Sequence, residues 1–257
     1  MVFRVFFFCM MFANIYRADF EDGFDPSLVV FGMTAVTLLF LASMAFSMWF
    51  EKDNRKRGSM AQAIFRSNFV ILGIPIVVNI FGEDAALIPT MMIAAIVPLY
   101  NIFAVFELEM FRGGKFQLIP ILIRVLKNPM IDGIILGALC RLLPFPIPDP
   151  ILKPIAQVGA ATTPVALIIL GASFEKGGIA LWASTIARLI VAPAIMLTAA
   201  ALLGFRGAEF VTLIAIFATP CAVASYAMAQ QMGADAALAG NCVVFTSALS
   251  AFTMFGW

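Results

Sequence analysis

From Leu28 to Phe50 the chain runs without one charged side chain. No other feature restricts the fold so strongly. A helix crosses the hydrocarbon core of a bilayer with about 20 apolar residues, and inside that core a segment must satisfy its own backbone hydrogen bonds. Comparable runs recur along the sequence. We read nine spans, at 1–16, 28–50, 59–81, 85–107, 129–144, 151–173, 179–203, 208–231 and 236–257. The fold class expected is therefore an all-α integral membrane protein, multi-pass, in the cell (inner or plasma) membrane. The first span carries an early Arg4 but is followed by no clean small-residue cleavage site, so it reads as a span, not a leader.

Composition agrees with burial in lipid. The chain is 63% hydrophobic and 12% charged, where soluble domains hold about half and a quarter. A net charge of +1 with no basic, aromatic-laced patch gives no reason to expect a nucleic-acid partner. Histidine is absent, which removes Ser/His/Asp catalysis and the commonest metal ligand. Cys9, Cys140, Cys221 and Cys242 all lie in apolar segments without a CxxC pair and read as small core residues. The reading is a non-enzyme, with no metal and no cofactor.

Lysine and arginine orient the spans. With residue 1 in the cytoplasm, the inside holds Arg4, Lys52, Arg55, Lys56, Arg57, Arg66, Arg112, Lys115, Arg124, Lys127 and Lys176, and the outside Arg17, Arg141, Lys153 and Arg206. Arg188 falls within a span, where it either binds an anion or snorkels to the cytoplasmic surface. Asp132 stands as the one acid placed within a span, which makes it the proton-relay candidate, although a solvated role at its helix end is the stronger reading.

The two halves correspond. Segments 28–50, 59–81 and 85–107 match 179–203, 208–231 and 236–257 at offsets of about 150 residues. A five-span repeat is inverted in its second copy, a common plan for secondary transporters. This divides the chain into a first repeat, 1–128, lacking its first helix, and a second, 129–257. Both halves interrupt a span, with "SNFVILGIP" (Ser67–Pro75) in one and "ATPCAVASYAMAQ" (Ala218–Gln230) in the other. Pro75 and Pro220 each remove a backbone N–H and free the carbonyl four residues back. Gly73 loosens the first break, and Ser67, Asn68, Thr219, Ser225 and Tyr226 add polar side chains. A broken helix exposes a half-helix N-terminus worth roughly half a positive charge, and two such ends would suit a carboxylate. Asn101 is a further amide within a span.

"RSNFVILGIP", "VPLYNIFAVF", "KNPMIDGIILG", "TTPVALIILGAS", "RLIVAP" and "TPCAVASYAMAQQMGADAALAG" occur in order along the chain. As a set they resemble the motifs of the auxin efflux carrier family, in its bacterial branch, within the bile-acid sodium symporter superfamily. That resemblance implies ten helices in two inverted five-helix repeats, with the family's first helix missing here. It also implies a scaffold and a transport domain, two crossing broken helices and elevator-like transport. The implied substrates are small organic anions such as malonate, malate or auxin-like carboxylates. On the same footing, Asn68 matches the asparagine ahead of the first crossover proline, Pro75, while Pro220 matches the second and Asn101 a motif on the fifth family helix. The expected substrate-binding set is thus Asn68, Gly73, Pro75, Asn101, Thr219, Pro220, Ser225 and Tyr226, with Asp132 and Arg188 as coupling candidates. Coupling to H+ or Na+ and assembly as a homodimer stay open. The rival readings are an ion channel and an ion-coupled symporter of another small solute.

Overall fold

The computed structural model describes residues 2–17, 26–112, 118–143, 146–162, 164–165, 168 and 178–257. The described residues are helical, and their one β feature is an isolated antiparallel bridge. In order they form α1 (Val2–Tyr16), α2 (Pro26–Phe50), α3 (Asn54–Phe65), α4 (Phe69–Phe81), α5 (Leu87–Arg112), α6 (Leu118–Leu126), α7 (Pro129–Arg141), α8 (Asp149–Ala160), α9 (Ile179–Leu202), α10 (Gly207–Phe217), α11 (Val223–Met232) and α12 (Ala236–Thr253). Four stretches are long and apolar enough to cross a membrane unaided: Pro26–Phe50, Glu83–Arg112, Ile179–Leu202 and Ala236–Gly256. Residues 163, 166–167 and 169–173 of the expected span 151–173 lie outside the described residues, as do Lys115 and Lys176.

Two packing groups emerge. In the first, α1 lies against α7 and α8. Glycine permits the close approach: a Cβ on Gly133 would sit 2.6 Å from the Phe8 carbonyl oxygen, and one on Gly137 2.8 Å from that of Phe12. Lipid gives helices no hydrophobic reason to associate, so small residues four apart supply contact through van der Waals packing. Asn128 caps α7 by accepting from the Met130 N–H at 3.0 Å, and Pro129 occupies the first turn.

The second group gathers α2 to α5 and α9 to α12. Its apolar core includes Phe40, Phe65, Phe69, Ile96, Phe217 and Met228. Phe40 stacks on Phe103 at 4.3 Å and meets Phe65 edge-on at 5.2 Å, geometries that aromatic quadrupoles favour. Within this group α9 contains a π turn at Ala187–Val191, followed by Pro193 in the next turn. Proline at 193 cannot bond the Leu189 carbonyl, and the Trp257 indole N–H donates to it instead at 3.2 Å.

Candidate functional site

The expected spans 59–81 and 208–231 are each two helices with a break between them. The first break is Arg66–Asn68, where Arg66 is extended (φ −91°, ψ 115°) and Ser67 and Asn68 are residues that compete poorly for helix. The second is 218–222. Pro220 pushes Thr219 out of helical geometry and has no N–H to donate, and Ala222 is extended. The breaks cross and pair. Ser67 bridges Cys221 in antiparallel fashion; the Asn68 N–H donates to the Pro220 carbonyl at 2.8 Å and the Ala222 N–H to the Arg66 carbonyl at 3.2 Å. The Cys221 N–H finds the Thr246 hydroxyl of α12 at 3.0 Å. Each break thus completes part of the other's backbone hydrogen bonding, which an apolar setting demands.

Arg188 completes the rest. From the π turn of α9 its guanidinium, with no exposure, donates to the Thr219 carbonyl at 2.9 and 2.7 Å, to Ile216 at 3.0 Å and to Ile64 at 3.2 Å. Those carbonyls end α3 and α10. Two helix C-termini carry about one negative charge between them, so one guanidinium both bonds and balances them. Arg188 therefore does not snorkel to the surface. It is bound inside the crossing, and π turns recur at such positions because they re-aim side chains.

The opposite ends are left open. Neither N-cap, Asn68 of α4 nor Ala222 of α11, closes its helix with a side-chain hydrogen bond. A small cavity of about 60 Å³ lies there, lined by Arg66, Ser67, Asn68, Val70, Ala222 and Val223 with Tyr100 and Asn101 of α5 and Asn14 of α1. It shares Met10, Asn14, Val70 and Ile71 with a wider cavity of about 470 Å³ that reaches Arg17 and Thr90. Arg66 is 4% exposed. Its guanidinium donates to Asn101 Oδ1 at 2.6 Å and touches the Met228 sulfur. Ser67 and Tyr100 hydroxyls meet at 3.1 Å. Two N-termini worth about +1 together, beside a buried arginine, make this pocket electropositive.

The expected residues separate on this map. Asn68 and Asn101 line the small cavity. Asn101 is already engaged on both sides of its amide: its oxygen accepts from Arg66 and its amide nitrogen donates to the Val97 carbonyl at 2.7 Å. Thr219 and Pro220 lie in the crossing backbone as acceptors. Ser225 is buried beside Cys221, and Tyr226 is buried in the core of α11. Pro75 does not break its helix. It sits exposed inside α4, and the carbonyl it frees belongs to Ile71, which lines the wide cavity. Gly73 leaves room for the Phe69 ring. Asp132 is exposed in the first turn of α7, away from the crossing. Nor is it alone within the spans, since Glu107 and Glu109 are buried in α5. Arg66, placed with the cytoplasmic charges by the orientation count, is the central cation of the site. Its position within the span 59–81 was the signal.

A helical membrane protein whose two interrupted helices cross through their backbones, beside an electropositive cavity, is built as a transporter. Residues 115–257 match the family model described as "Membrane transport protein". The chain belongs to that family, the auxin efflux carrier family that its motifs resemble. It is also 25% identical over 261 residues to the "Uncharacterized transporter MJ1031" of Methanocaldococcus jannaschii, across 95% of this chain and 82% of that protein.

Proposed function

We propose that this chain is a secondary transporter of small organic anions of the malonate, malate or auxin-like class, working by alternating access in the cell membrane. One observation carries the reading: the N-termini of α4 and α11, the Asn68 side chain and the buried Arg66 converge on one cavity at the crossing. Helix N-termini present free N–H groups and positive potential to anions. The N–H groups of Phe69, Val70, Val223 and Ala224 have no acceptor among the described residues. The 60 Å³ pocket has roughly the room of two waters, enough for a carboxylate head, and the wider cavity takes the remainder. With residue 1 in the cytoplasm, that cavity faces outside, the two halves 1–128 and 129–257 are inverted repeats, and the α1–α7–α8 group is the scaffold against which the crossing moves.

Uptake of labelled malonate into proteoliposomes tests this, with malate and indole-acetate as competitors. The expected result is saturable uptake reduced by at least one of them. Uptake that stays linear in concentration would speak for a channel, and absence of uptake for all three would remove the substrate class.

A further inference from the structure

Glu107 is fully buried in α5, and neither of its carboxyl oxygens has a hydrogen-bond partner. Gln62 of α3, 1% exposed, leaves both amide atoms equally unpartnered. The helices that carry them, α3 and α5, pack together. Gly58 and Gln62 lie one turn apart on α3, and Arg66, four residues on, is its C-cap. A Cβ on Gly58 would lie 3.4 Å from Glu107 Oε1, and Arg66, at the C-terminal end of α3, acts on Glu107 electrostatically. Gln62 stands one turn along α3 from Gly58, the residue that Glu107 approaches.

The remaining charges nearby are committed elsewhere or distant. Glu109 pairs with Arg112 at 3.4 Å and with Arg124 of α6 at 2.8 Å. Helices α2, α4 and α11 carry no charged side chain, with Tyr226 as the titratable group of α11. Asp235 accepts from the Leu238 N–H at 2.9 Å and Arg55 donates to the Gly233 carbonyl at 3.2 Å. Arg57 of α3 donates to the Glu51 and Met48 carbonyls and to Asn54 Oδ1, its neighbour Lys56 is half-buried at the start of α3, and the Tyr100 hydroxyl of α5 meets Ser67. Arg4 of α1, Asp132 and Arg141 of α7 and Glu209 of α10 stand toward their helix ends. Of these charges, Arg66 is the one that acts on Glu107.

We propose that Glu107 is the group at which the transporter takes up a proton together with its anion, a reading that rests on the crossing being the anion site. A solvent proton adds to the carboxylate and forms one O–H bond, giving a neutral carboxylic acid. The acid O–H then donates to the Gln62 carbonyl oxygen while the Gln62 amide donates to the acid carbonyl, so a side-chain adjustment satisfies four atoms that are now unpartnered. An ionised Glu107 can only accept, which strands the Gln62 oxygen; a sodium ion would strand the amide N–H groups and sit beside Arg66. Protonation also withdraws the negative charge that offsets Arg66, so proton and anion each favour the other's binding, a reciprocal coupling.

Two readouts on the full chain in lipid separate this proposal from the anion reading. Infrared difference spectra between acid and alkaline pH, without substrate, are expected to show a protonated-carboxyl band that Glu107→Gln removes and Glu107→Asp moves. Malonate binding, measured above the range where malonate itself titrates, is expected to weaken as pH rises, by up to about tenfold per unit for one linked proton. Glu107→Gln is expected to flatten that slope at the tight, low-pH value. A missing carboxyl band, a band displaced by sodium at fixed pH, or a Glu107→Gln protein with the wild-type slope would overturn the assignment. Absence of malonate binding at every pH, with the band present, would overturn the anion reading and leave Glu107 as a proton site without its coupling. Should Glu107→Gln fail to fold, the Glu107→Asp band decides.

Discussion

Arg188 donates twice to the Thr219 carbonyl, at 2.7 and 2.9 Å, and with the same guanidinium reaches Ile64 across the crossing at 3.2 Å. One side chain therefore holds the C-terminal ends of both interrupted helices. Arg188→Met would strand three buried carbonyls and leave two helix dipoles unbalanced. Removing one partner from such a buried charged set costs about 3–5 kcal/mol. The melting temperature in detergent is expected to fall steeply, with Arg188→Lys intermediate because a single ammonium cannot reproduce the guanidinium's spread of donors. A near-normal melt for Arg188→Met would show that the breaks hold without it.

Ser67 and Cys221 sit opposite one another, flanked by the Asn68–Pro220 and Ala222–Arg66 hydrogen bonds. Such a non-hydrogen-bonded pair places Cα atoms about 4.5 Å apart, inside the range a disulfide spans. Ser67→Cys is expected to form a disulfide with Cys221 on mild oxidation, detected by loss of thiol labelling that Cys221→Ser prevents. If the crossing travels as one rigid unit, the oxidised protein keeps transporting. Loss of transport restored by reductant would mean that the two breaks slide past each other.

Gly137 is the contact where α7 rides on α1, with the Phe12 carbonyl in the way of any Cβ. Gly137→Ala is expected to cost about 1–3 kcal/mol by overpacking. The loss should appear as earlier melting. An unchanged melting temperature would mean that α1 adjusts freely.

Asn68 and Asn101 line the same cavity but have different tasks. The Asn68 side chain makes no cap and is available to a ligand, whereas Asn101 holds Arg66. Asn68→Ala removes a donor to a charged acceptor, worth about 1.5–3 kcal/mol, or roughly 10- to 150-fold in binding. Asn101→Asp should weaken binding more than Asn101→Ala, because an acid at that point pairs with Arg66 and cancels its field. Titration of malonate against each variant checks the order.

The sequence made two interrupted helices legible, and with them the idea of half-helix N-termini facing an anion. It placed the first break at Pro75, because a proline marks a lost hydrogen bond. Yet α4 runs through Pro75 unbroken, and the break lies at Arg66–Asn68. A break is sustained by whatever satisfies the freed backbone, and its partners, Pro220, Ala222 and Arg188, are more than a hundred residues away. Arg66 and Arg188 were assigned by charge, as a cytoplasmic anchor and a snorkelling side chain or anion ligand. Both are buried, and the acceptors that make burial tolerable come from other helices. Glu107, at the very end of the span read as 85–107, was passed over for Asp132, because its burial depends on α3 packing against it. Local signals located the elements; the roles of the charges depended on tertiary partners.

The most direct test of the central claim is equilibrium binding of malonate to the purified full chain beside its Arg66→Gln variant. If the anion sits at the crossing, the variant loses a charged partner inside a buried pocket, and its affinity falls by two orders of magnitude or more, about 3 kcal/mol at the least, while the wild type saturates. Equal affinity in both proteins would place the anion elsewhere and contradict the account.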